Sequence, residues 1–67
     1  MPDATFAEQI GMPLGAVQEV LYELRKGQYR ASLQAIRKEL WAGFGVKMSH
    51  AQWAALKKYA VDHPQED

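Results

Sequence analysis

The sequence predicts an all-α fold, four short helices in one small domain. Two observations carry that prediction. Apolar residues recur at spacings of three and four within segments that end at Gly or Pro, and three of those segments follow a Ser or Thr able to cap a helix. Between the segments no alternating run is long enough for a strand, and no tandem repeat or low-complexity tract intervenes. Sixty-seven residues make a single domain, and a chain of that size buries only about 60% of the surface its unfolded form exposes. There is no cysteine to add a disulfide or a thiolate metal site, so a thin core relies on packing alone.

The elements follow in order. Thr5 and Glu8 form a capping-box pattern for the first helix, with Asp3 as a rival cap, and Gly11 and Pro13 stop it. Pro13 also suits the first turn of a second helix, because its missing N–H costs nothing there. That helix runs from about Leu14 to Lys26, with Leu14, Val17, Val20, Leu21 and Leu24 on its apolar side and Gly27 placed to end it. Ser32 caps a third helix whose stripe reads Leu33, Ile36, Leu40, Trp41 and Phe44, closed by Gly43 and Gly45. Ser49 with Gln52 makes a second capping box, and Met48 with Trp53 a hydrophobic staple. Trp53, Leu56 and Ala60 then lead to the stop at His63-Pro64. Phe6, Trp41, Phe44 and Trp53 are expected in the core, and connections of two to six residues are expected to make neighbouring helices pack.

Eight basic and eight acidic residues cancel, yet they are sorted along the chain. Residues 1–24 carry Asp3, Glu8, Glu19 and Glu23 and no base, a charge of −4. Residues 25–58 hold all eight bases against Glu39 alone, a charge of +7. Residues 59–67 add Asp62, Glu66 and Asp67, a charge of −3. Zero net charge taken by itself speaks against nucleic-acid binding; a +7 middle does not.

The front of the chain has the parts of a helix-turn-helix. Ala7 is the small residue where the second helix crosses, Gly11 is the turn residue four positions on, and Val17 and Val20 pin the crossing angle. The expected organisation is therefore one helical domain over 1–67. It comprises a helix-turn-helix over 4–26, a basic helical pair over 32–62 and an acidic tail over 63–67. The run Ala7-Glu8-Gln9-Ile10-Gly11-Met12-Pro13-Leu14-Gly15-Ala16-Val17 resembles the helix-turn-helix of region 4 in bacterial sigma factors, especially the extracytoplasmic-function type. The resemblance covers about residues 4–26, and it implies promoter DNA as ligand and the second helix as the reading element. This chain departs from that family at the outward positions of the second helix, which read Gln18, Glu19, Tyr22 and Glu23 where the family is basic.

Those residues lead to two functional expectations. The first is a small non-enzymatic helix-turn-helix regulator of bacterial or phage type, cytoplasmic, binding duplex DNA or a protein of the transcription machinery. Its contacts would come from Gln18, Tyr22, Arg25 and Lys26 on the second helix and Arg30 in the connector. Arg37, Lys38, Lys47, His50, Lys57 and Lys58 would serve on the basic pair, with His50 and Gln52 able to reach base edges. The alternative is a protein-binding module or inhibitor that docks through the acidic second helix, using Met12, Leu14, Gln18, Glu19, Tyr22 and Glu23. Either form could dimerise. No membrane span or secretory leader is expected, because every apolar stretch is short. Neither histidine has a ligand partner nearby in sequence, and no nucleophile elbow or phosphate loop is present, so no metal, cofactor or catalytic residue is expected.

Overall fold

A computed structural model describes residues 2–64. They form four helices and no strand: α1 (Pro2–Ile10), α2 (Leu14–Lys26), α3 (Leu33–Phe44) and α4 (His50–Asp62). Glu66 and Asp67 of the expected acidic tail lie outside the described residues. Among the described residues no helix is long and apolar enough to cross a membrane.

Helix α1 starts earlier than the Thr5–Glu8 pair suggests. Pro2 and Asp3 already lie in its first turn, so neither Thr5 nor Asp3 is the cap. Proline is favourable at that position because the first-turn N–H groups have no helical partner in any case. The end of α1 is a Schellman motif: Gly11 takes a left-handed φ of 70°, its N–H donates to Glu8 O at 3.2 Å, and the Met12 N–H donates to Ala7 O at 3.0 Å.

Helix α2 keeps the bounds the sequence predicts, but it ends differently. Gly27 has a φ of −88°, and the left-handed residues are Gln28 and Tyr29, at 54° and 65°. Gln28 N–H to Arg25 O and Tyr29 N–H to Leu24 O repeat the Schellman pattern one residue later than glycine placement implies. For α3, the Ser32 hydroxyl accepts from the Ala35 N–H at 3.4 Å, and Gly45, not Gly43, supplies the left-handed cap at φ 64°. For α4, both halves of the Ser49–Gln52 capping box form, at 2.9 and 3.1 Å. Met48 and Trp53, the expected staple, both join the core cluster.

The core is organised around α2. Ala16, Val17, Val20, Leu21 and Leu24 are fully buried, a stripe wide enough to face three neighbours, and the principal packing is of α2 with α4, α1 and α3. Helices α3 and α4 are adjacent in sequence, yet each takes α2 as its main partner. Ile36 and Leu40 of α3 and Leu56 and Ala60 of α4 supply the facing layers.

Polar ties hold α4 in place. The Gln52 side-chain amide donates to Ile10 O at 2.9 Å, linking the first turn of α4 to the last carbonyls of α1. Arg25 donates through Nε and Nη2 to His63 O, at 3.2 and 2.6 Å, and Tyr29 Oη donates to Ala60 O at 3.3 Å. Tyr59 stacks between Phe6 and His63, with ring centroids 4.0 and 4.3 Å away.

Two expected core aromatics are on the surface. Trp41 is 58% exposed and Phe44 is 44% exposed. Trp41 directly follows Leu40, the deepest residue of α3, and one residue turns a helix by about 100°, which carries the indole off the buried face. Phe44 lies at the end of α3, where its ring rests on Gly15; a Cβ at Gly15 would come within 3.0 Å of Phe44 Cε1. That contact also shows α3 running back along α2, its end beside the start of α2.

Candidate functional site

Helix α3 has two faces. Leu33, Ile36 and Leu40 point into the protein. Gln34, Arg37, Lys38 and Trp41 follow at i, i+3, i+4 and i+7, the spacing that places four side chains on one strip of helix surface. Beyond Gly45 the chain turns back alongside that strip, bringing Val46, Lys47 and Met48 opposite it. Between them is an open groove of about 730 Å³. Met48 is buried and Val46 half-buried, so the inner side of the groove is apolar. Three of its seven lining residues are cationic and none is acidic.

The cations are held in different ways. The Arg37 guanidinium is half-buried and anchored to the far side of the groove, with Nε donating to Met48 O at 3.2 Å. Its Nη2 lies 3.3 Å from His50 Nδ1. The Lys47 ammonium sits 5.5 Å from the Trp41 ring centroid, a cation–π distance. Lys38 is exposed on the rim. Chemically, such a groove can attract an anion and offer a planar ring to stack on.

Of the expected DNA contacts, Arg37, Lys38 and Lys47 line the groove. His50 lies outside the lining but meets Arg37, and the others also lie outside it. Arg25 is committed to the His63 carbonyl and acts as a tie. Lys26 lies over Tyr22 at 5.7 Å and Lys57 over Trp53 at 5.8 Å. Arg30, in the connector, and Lys58, on α4, are exposed. Gln18, Tyr22 and Lys26 form a narrow exposed row along α2. Gln52 is not available as a base-reading group, because its amide is consumed by Ser49 and Ile10. Trp41 is the residue that sequence reasoning misses. Its signal is the i+3 and i+4 spacing from Lys38 and Arg37, which sets it on the basic strip.

The alternative surface is also revised. Met12 is 5% exposed, so it does not contribute to the expected contact patch, and Leu14 is half-buried. Met12 follows the left-handed Gly11 in the α1 cap, and that motif folds the residue back onto the helix it ends. Glu19 and Glu23, one turn apart on α2, are joined by Glu39 from α3, their carboxylate oxygens within 4.8 Å of one another. Each could offer one oxygen to a cationic group.

No protein-family model matches this chain, and comparison with curated proteins and with solved structures gives no match either.

Proposed function

We propose that this protein is a small non-enzymatic regulator of the helix-turn-helix class, of bacterial or phage type, that binds nucleic acid through the α3 groove. The observation that carries this is the groove itself: Arg37, Lys38 and Lys47 around an exposed Trp41, with no carboxylate in the lining. Phosphate neutralisation supplies most of the affinity for nucleic acid, and three of the eight cations line this groove.

Residues 4–26 support the class. Ala7, Val17 and Val20 are buried and Gly11 has the positive φ that the turn of a helix-turn-helix needs. In this reading α2 is scaffold rather than reading head. Phe44 covers its first turn at Gly15, and the Glu19–Glu23–Glu39 group repels phosphate from its side.

The test is binding of labelled DNA, duplex and single-stranded, measured by fluorescence anisotropy across a salt series. Binding at about 50 mM salt should weaken steeply by about 200 mM. The Lys38→Glu, Lys47→Glu double variant should flatten the salt slope by about two contacts. Absence of binding to either form at about 50 mM salt overturns the reading.

A second reading is favoured by the three converging carboxylates. It makes Glu19, Glu23 and Glu39 a docking face for a basic partner protein, with the exposed Tyr22 and Gln18 beside it. Partner capture lost on Glu19→Lys and retained on Lys38→Glu would support it over the first.

A further inference from the structure

We infer that the occupant of the α3 groove is a single-stranded stretch of nucleic acid, with one unpaired base stacked on Trp41 and its flanking phosphates on Lys38, Lys47 and Arg37. The inference rests on the nucleic-acid reading and adds the state of the strand. It starts from shape. A helix that reads duplex DNA enters the major groove as a convex rod. Here the basic strip of α3 forms one wall of a concavity, closed on the other side by the 46–48 segment. A concave site of about 730 Å³ receives an extruded group rather than entering a groove.

The second argument is the indole. Trp41 is 58% exposed although the domain has a small core and other apolar residues reach it. Contact with duplex phosphates has no use for an exposed ring, since paired bases present their faces only to one another. An unpaired base has a free π-face, and stacking on an aromatic side chain is the sequence-tolerant way to hold it. The Lys47 ammonium lies over the Trp41 ring, 5.5 Å from its centroid; a base stacking on that face would displace the flexible lysine toward the base's own phosphate. Arg37 is pre-set by Met48 O and His50, so its remaining N–H donors need little ordering to meet a second phosphate. Gln34, exposed on the same strip, has an amide suited to a base edge.

The experiment uses the full chain carrying Trp53→Phe, so that Trp41 is the remaining tryptophan. An oligodeoxynucleotide of about ten nucleotides, a ribonucleotide strand of the same sequence, and a hairpin duplex of matched charge are titrated at one salt concentration. The single strands should quench Trp41 emission and bind more tightly than the hairpin. Trp41→Ala should lower single-strand affinity about ten- to a hundredfold and change hairpin affinity less than about twofold. Because Trp41 is exposed, its helical circular-dichroism signal should be unchanged. The DNA and RNA arms assign the sugar. Hairpin binding as tight as single-strand binding, or an equal effect of Trp41→Ala on both, overturns this inference and leaves nucleic-acid binding standing. No binding by any of the three overturns both.

Discussion

The hydroxyl of Tyr59 donates a 2.7 Å hydrogen bond to Oδ1 of Asp3, joining the last helix to the first turn of the first across 56 residues of sequence. Asp3 is 8% exposed, so its carboxylate has little water to fall back on. The same ring stacks on Phe6 and His63, which makes Tyr59 the point where α1 and α4 are joined by both packing and polarity. Tyr59→Phe keeps the stacks and removes the hydroxyl. It is expected to cost about 1–2 kcal/mol, read as a lower urea midpoint with an unchanged slope. An unchanged midpoint would mean that the bond contributes nothing.

Gln28 gives the opposite sign. Its φ of 54° is a left-handed conformation that costs a residue with a Cβ about 1–2 kcal/mol and glycine almost nothing. It is solvent-exposed, so no packing is lost on truncation. Gln28→Gly should raise the melting temperature by about 4–8 °C, as expected for roughly 1 kcal/mol in a domain of this size. Gln28→Val should lower it. If Gln28→Gly destabilises, the C-cap of α2 is not the left-handed motif described here.

The contact between Gly15 and Phe44 predicts a coupling rather than a single effect. Alanine at Gly15 gains helix propensity but meets the Phe44 ring at 3.0 Å. In a Phe44→Ala background that ring is gone. Gly15→Ala should therefore be more favourable there than in the parent, by about 0.5–1 kcal/mol in a double-mutant cycle. Additive effects would place Phe44 elsewhere in solution.

The carboxylates of Glu19, Glu23 and Glu39 lie within 4.8 Å of one another. Glu39→Gln removes the charge that α3 contributes and should raise stability at low ionic strength. The gain should shrink in about 1 M salt, where the Debye length falls to about 3 Å. A gain that is the same at both ionic strengths would show that like-charge repulsion is not its source.

Local chemistry accounts for what could be read from the chain. The bounds of α2, the Ser32 cap and the Ser49–Gln52 box depend on bonds between residues three or four apart, and those are written in the order of the residues. The absence of strands among the described residues follows from the same periodicity. The early start of α1 was less legible, because Asp3, Thr5 and Glu8 offer overlapping caps and only Pro2 distinguishes them. At the candidate site, Arg37, Lys38, Lys47 and His50 could be named from charge and position. Trp41 could not, because an aromatic one residue from a buried leucine reads equally well as core.

By itself, then, the sequence determined the helices and where their charges fall along the chain. Only the tertiary structure decided that α2 is the central helix, that Met12 is buried and Trp41 and Phe44 are not, and that Glu39 joins Glu19 and Glu23. The physical reason is that a helix forms from interactions within one turn of itself, whereas the exposure of a side chain depends on which distant helix covers its face. Here three helices converge on α2, and the outer strip of α3 is left to line a groove.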